Sequence, residues 1–159
     1  MGVEIQIIKN QFAESGSLAG MEKAMIELCS KLNDQAKALT PVDQGQLRNS
    51  EMYQVFTNAG KIAEEGFNDK PEQAAPESHR LSVTEKPKKN QVIGIQGTNS
   101  DHWYIEFGTR KMAAKPFERP AKEIVLDGGR ATDVAAKYQR EEITRAFTKR
   151  KTDKRVVRG

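Results

Sequence analysis

Histidine, cysteine and aromatic residues are all scarce in this chain, and each scarcity removes a class of chemistry. Cys29 is the single cysteine, so no intramolecular disulfide can form and nothing marks an oxidising compartment. It falls within a helical pattern and reads as a small buried hydrophobe rather than a nucleophile. The two histidines, His79 and His102, have no partner at ligand spacing, so no metal site is expected. Asp101-His102 is half of a catalytic pair at best, because no Ser, Cys or Thr sits in a nucleophile signature. A phosphate cradle is also missing: Gly94-Ile95-Gln96-Gly97 follows a strand but opens no helix. No apolar run is long enough to span a bilayer. Met1-Gly2-Val3-Glu4 is acidic where a secretory leader is basic, so the chain is expected to be made and folded in a cytosol. The expectation is a protein with no catalytic residue, cofactor, metal or membrane partner.

What remains is a lean hydrophobic fraction of 36% beside 30% charged residues. That balance suits a small core under a large solvated or protein-facing surface, with association supplementing the core. The net charge of +4 is unevenly spread. Residues 145–159 hold seven basic side chains (Arg145, Lys149, Arg150, Lys151, Lys154, Arg155 and Arg158) against Asp153 alone, a net +6 that leaves −2 elsewhere. The chain therefore divides into a single α+β domain at 1–144 and a basic C-terminal arm at 145–159. Such an arm is an electrostatic docking element for an acidic protein surface or for nucleic acid, or else a solvated tail. It lacks interleaved aromatics, with only Phe147 at its root, so any contact with DNA would be non-specific.

Val3 to Ile8 alternates apolar and polar and reads as a short strand. Leu18, Met21, Met25, Leu28, Leu32, Ala36 and Leu39 then recur at spacings of three and four, which predicts an amphipathic helix over Ser17–Leu39. Ser17 is its N-cap candidate and Pro41 its stop. Gln46–Thr57 reads as a strand with a hairpin partner at Lys61–Glu64. Gly66 to His79 reads as a long loop, and Leu81–Thr84 and Gln91–Ile95 as further strands. Trp103–Phe107 reads as the last strand, with Trp103, Ile105 and Phe107 facing the core and Tyr104 and Glu106 facing away. Gly108 allows a turn, Pro116 and Pro120 bracket another, and Pro120 marks a helix start over Ala121–Val125. Asp127-Gly128-Gly129 interrupts before a second helix over Ala131–Phe147. The expected architecture is a long N-terminal helix on an antiparallel sheet of four to five strands, with a C-terminal helix and basic tail.

Among the carboxylates, Glu106 stands out because aromatics flank it on its strand. It could serve as a general acid. A salt bridge or hydrogen-bond role is favoured, with Arg48 or across a subunit boundary.

Three segments are denser in turn and aromatic residues than the rest. The first is Thr40-Pro41-Val42-Asp43-Gln44-Gly45-Gln46-Leu47-Arg48-Asn49-Ser50 after the long helix. The second is Tyr104-Ile105-Glu106-Phe107-Gly108-Thr109, and the third is Ala114-Lys115-Pro116-Phe117-Glu118-Arg119-Pro120-Ala121. In this order and spacing they resemble the fingerprint of tail-component and neck proteins of long-tailed bacteriophages, over about residues 18–125. Gln44, Glu51 and Glu118 depart from the usual residues there, and the 66–79 loop and basic tail lie outside the pattern.

The resemblance implies a non-enzymatic structural protein of the virion neck, assembled in the host bacterial cytoplasm. It implies a homo-oligomeric ring, six-fold in the common case, that joins or completes the tail at the head–tail interface around the DNA channel. Its neighbours would be head-closure or connector proteins and tail-tube or terminator proteins. It makes Pro41, Asp43, Gly45, Leu47, Arg48, Ser50, Tyr104, Glu106, Phe107, Gly108, Thr109, Pro116, Phe117, Pro120 and Ala121 the structural motif. Two alternatives stand beside it: a tail terminator or head-closure protein of the same connector, and a DNA-binding module acting through the arm.

Overall fold

A computed structural model describes residues 3–7, 15–41, 46–57, 61–66, 81, 87–88, 91–98 and 103–156. The elements run β1 (Val3–Ile7), α1 (Ser15–Leu39), α2 (Gln46–Ser50), β2 (Met52–Thr57), β3 (Lys61–Gly66), β4 (Val92–Gly97), α3 (Trp103–Phe107), α4 (Glu118–Leu126) and α5 (Arg130–Val156). The fold mixes helix and sheet, and the long N-terminal helix is present. The strands pair antiparallel in the order β1-β4-β2-β3. A bulge between Val55 and Phe56 shifts the β2–β3 register.

The 3.6-residue stripe decides where α1 sits. Met21, Met25, Leu28, Cys29, Leu32 and Ala36 are all buried, packed with Tyr53, Val55 and Val92 from one face of the sheet. Met52, Phe56, Ile93 and Ile95 form a second cluster with Leu81, in register with the opposite side chains of β2 and β4. Every residue from Glu51 to Phe56 is consequently buried, and strict polar–apolar alternation is lost.

α4 lies on the same core through Phe117, Ala121 and Val125, and α5 passes across α1. The two backbones come close at Gly20, where a Cβ would lie 2.9 Å from the Gln139 Cα. Only glycine lets the two backbones meet there. Tyr138 Oη donates to Glu27 Oε2 (2.6 Å), and Lys23 pairs with Glu142 on the same seam. From Gln139, α5 runs on to Val156, roughly 25 Å at 1.5 Å per residue, whereas α1 begins only ~7 Å beyond Gly20.

Several expectations are corrected. Gln46–Ser50 is a helical turn, not the start of a strand: Ser50 Oγ donates back to Leu47 O (2.8 Å) and closes it. Trp103–Phe107 is helical rather than extended, so the predicted facing fails for Trp103, Phe107 and Glu106, while Ile105 packs on the core and Tyr104 is exposed as expected. Trp103 and Phe107, each 56% exposed, lie at the surface, while Glu106, 2% exposed, is buried. At helical pitch residues 103, 104 and 107 share one side and 105 and 106 point away from it. The aromatic and β-branched content argued for a strand, and tertiary contacts overrode it. α4 begins earlier and α5 ends later than the periodicity suggested; the arm from Arg145 to Arg155 continues α5. The strand expected at Leu81–Thr84, apart from Leu81, and the 67–79 loop lie outside the described residues.

Candidate assembly interface

The second and third motifs fold into one unit, held by the carboxylate expected to be the odd one out. Phe117 occupies the N-cap of α4 and makes no side-chain cap. Glu106 fills that role from α3. Its Oε2 accepts from the backbone N–H of Phe117 (2.8 Å) and Glu118 (3.2 Å), and its Oε1 from that of Arg119 (3.1 Å). These are donors that a helix start leaves without intrahelical partners, and a negative charge there also complements the helix dipole. The Arg119 side chain closes the ring of contacts: Nε donates to Glu106 Oε1 (3.0 Å) and Nη2 to the Glu106 carbonyl (3.0 Å). The guanidinium lies 5.0 Å from the centroid of the Phe107 ring. Burial works against ionisation of Glu106, but the three backbone donors and Arg119 outweigh it and hold the carboxyl below its usual range.

The intervening chain is equally determined. Gly108 has φ +76°, and a Cβ on it would meet Ala114 N at 2.7 Å and Met112 O at 2.9 Å. Glycine therefore satisfies both the left-handed backbone and the close approach. Thr109 and Met112 exchange backbone hydrogen bonds around a tight turn at Arg110-Lys111. Lys115 N donates to Ile105 O (2.8 Å), returning the chain to α3.

A second carboxylate lies behind this unit. Glu51, wholly buried, accepts from Gln96 Nε2 (2.7 Å) through Oε2. Its Oε1 and Gln96 Oε1 have no hydrogen-bond partner among the described residues. Burial, reinforced by the nearby Glu118 carboxylate, pushes the Glu51 carboxyl up to about 8, so it is largely protonated at neutral pH. Ser50 is also buried and shares a hydrogen bond with Thr98.

The motif residues thus fall into three groups. Ser50, Glu106, Phe117 and Ala121 are buried; Leu47, Gly108, Pro120 and Pro41 are half-buried. Arg48, Tyr104, Phe107, Thr109 and Pro116 are exposed. Asp43 and Gly45 lie outside the described residues. The expected Arg48–Glu106 contact gives way to Arg119, which sits on the helix that Glu106 caps and so has the shorter reach. Sequence reasoning missed Arg119, Glu51 and Gln96 as partners. For Glu106 as the cap a signal existed, since an acid lies upstream of a helix start that has no Ser, Thr, Asp or Asn at its cap.

In the arm, Arg145 is exposed and 3.6 Å from Glu142. Lys149, Arg150, Lys151, Lys154 and Arg155 lie along the last turns of α5, and Arg158 lies outside the described residues.

The surface beside the Glu106 unit is aromatic. Trp103, Tyr104, Phe107 and Met112 are all exposed, and the Trp103 and Tyr104 rings meet edge to face with centroids 6.3 Å apart. Clustered exposed aromatics and an arginine are the composition of protein-contact surfaces. Among the described residues no group of three or more His, Cys, Asp or Glu is placed to hold a metal, and no helix is long and apolar enough to cross a membrane. No protein-family model, curated protein or solved structure matches the chain.

Proposed function

We propose that this chain is a non-enzymatic structural subunit of a phage virion neck, forming a ring that joins or completes the tail around the DNA channel. One observation carries the reading. The second and third motifs that suggested it are joined by the Glu106 cap into a rigid unit, and that unit presents Trp103, Tyr104 and Phe107 outward. A catalytic carboxylate needs access to substrate, whereas Glu106 is buried and already bound to four N–H donors. A six-fold homo-oligomer, head-closure and tail-tube neighbours and a sheet of four to five strands belong to the same proposal. The other readings within that connector, tail terminator or head-closure protein, differ only in the level of the stack. A virion reconstruction tests the proposal: density for this chain is expected in the neck, and its absence there would end the reading.

A second reading, a DNA-binding module, draws on α5, whose helix carries the basic residues of the arm through to Val156. Deleting residues 145–159 separates the two. A neck subunit keeps its fold and loses docking, and a DNA binder loses a salt-dependent affinity.

A further inference from the structure

We infer that Glu51 and Gln96 form a proton-locked clasp beneath α4: the Glu51 carboxyl keeps a proton on Oε1 and donates it to Gln96 Oε1, and loss of that proton frees the first turn of α4. The clasp belongs to the fold and is independent of the neck reading.

Both side chains are wholly buried. Gln96 pairs across the sheet with Tyr53, which packs in the α1 core, and Glu51 lies two residues before Tyr53. Only one end of the pair is joined, with Gln96 Nε2 donating to Glu51 Oε2 (2.7 Å). At the other end, Glu51 Oε1 and Gln96 Oε1 both lack a hydrogen-bond partner among the described residues. An ionised carboxylate only accepts, and so does an amide oxygen. Ionised Glu51 therefore leaves two buried oxygens with no donor, the arrangement that folded proteins avoid. A neutral carboxyl carries one donor and one acceptor end, as the amide does. Joined at both ends, acid and amide satisfy the two orphaned oxygens with a single proton.

The charges around the pair act on it from three helices. Glu118 on α4 repels an ionised Glu51, Glu106 on α3 adds to this, and Lys37 on α1 attracts it. Lys37 makes no ion pair among the described residues. Tyr53 on β2 and the neutral Ser50 and Thr98 are buried nearby, and Arg48 on α2 is exposed. A lone cation against two carboxylates does not offset burial.

Glu118 connects the clasp to α4. Its backbone N–H donates to Glu106 Oε2 (3.2 Å), beside those of Phe117 and Arg119 at the start of the helix. When Glu51 loses its proton, Gln96 Oε1 loses its donor and a further negative charge arises next to Glu118 in a buried site. Lifting the first turn of α4 relieves both, because it parts the two carboxylates and admits water. Glu106 ties α3 to that turn, so the exposed Trp103 and Phe107 move with it.

Infrared difference spectra between pH 7 and pH 9.5 read the proton directly. The wild type should lose a protonated-carboxyl C=O stretch as the pH passes about 8, and Glu51→Gln should lack that band throughout. Gln96→Met removes both hydrogen bonds to the carboxyl and should move the band to higher frequency, whereas Lys37→Met should leave it in place. Amide exchange at Phe117, Glu118 and Arg119 reads the consequence. In Glu51→Gln the new amide can donate where the acid does, so the turn stays closed. At equal pH the wild-type rates should gain on those of Glu51→Gln by about tenfold per pH unit between 4.5 and about 8, because opening releases the Glu51 proton. A wild type with no protonated carboxyl at pH 7, or a band that Gln96→Met leaves unmoved, would overturn the clasp. Exchange that keeps step with Glu51→Gln over the whole range would overturn the release of α4. Wild type and Glu51→Gln decide both points if Gln96→Met does not fold.

Discussion

Glu106 Oε1 lies 3.0 Å from Arg119 Nε, yet the arginine is the lesser partner. The Arg119 side chain is 55% exposed and that of Glu106 3%. The backbone donors at the start of α4 are the groups that need the carboxylate. Glu106→Ala uncaps the helix and leaves buried N–H groups unpaired, which should cost about 2–4 kcal/mol. Arg119→Ala removes a screened, half-exposed ion pair and should cost about 1 kcal/mol or less. Urea unfolding of the two variants checks the order. Equal losses would show that the ion pair, not the cap, fixes the turn.

Glu51 makes the stability of this fold fall as pH rises. Its carboxyl titrates at about 8 in the folded chain against an ordinary value of 4.5. Between those two values the folded state holds a proton that the unfolded state has lost, so rising pH favours unfolding. The contribution is complete below about pH 4.5 and gone above about pH 8, and amounts to a few kcal/mol at most. Glu106 acts in the opposite sense. Its carboxyl is held below the usual range, so its contribution is lost as pH falls into the acid region. On these two groups, stability should therefore peak near pH 4.5, where the Glu51 contribution is still close to complete and that of Glu106 is not yet lost. Unfolding curves from pH 4 to 9 should show Glu51→Gln gaining on the wild type with each step upward. Parallel profiles for the two proteins would contradict the assignment.

The elements most readable in the sequence were those with a strong period. The α1 stripe from Met21 to Ala36 is the core, and the turn at Asp127 to Gly129 separates two helices. Mixed helix and sheet with a long first helix followed directly from that reading. The misreadings cluster where short segments carry residues of mixed preference. Five residues, Trp103 to Phe107, are too few for a period to decide between strand and helix. Their fate was set by Glu106 reaching α4, a contact twelve residues away in sequence for Glu118. Glu51 was legible only as a charged residue inside the strand expected over Gln46–Thr57. That it is buried beside Gln96 depends on the β2–β4 register, which pairs Tyr53 with Gln96. No local rule supplies that pairing.

Cys29 offers a probe of global unfolding. It is wholly enclosed against β4 in the core, and burial pushes its thiol to about 12. Both access and thiolate formation are suppressed, and the thiolate is the reactive species. Ellman's reagent at pH 8 should leave the native protein unlabelled over hours and react fully in denaturant. Rapid labelling without denaturant would mean that α1 separates from the sheet in the native state.

The last turns of α5 test the arm's role separately from the fold. They lie beyond the crossing with α1 at Gly20, and Lys149, Arg150 and Lys151 fall within them. Charge reversal at those three positions should leave the unfolding transition close to that of the wild type, because the core contacts of α5 through Val134 and Tyr138 remain. If the chain is the neck subunit proposed above, assembly should suffer all the same. A cationic helix that docks on an acidic neighbouring ring, or faces the DNA in the lumen, loses attraction and gains repulsion when its charge is inverted. Complementation of a phage lacking the gene by the Lys149→Glu, Arg150→Glu, Lys151→Glu triple variant should therefore give a reduced virion yield. The two fates then separate by salt: a DNA contact weakens steeply with ionic strength, and a packed protein contact much less. Undiminished yield from a normally folded variant would rule out both fates.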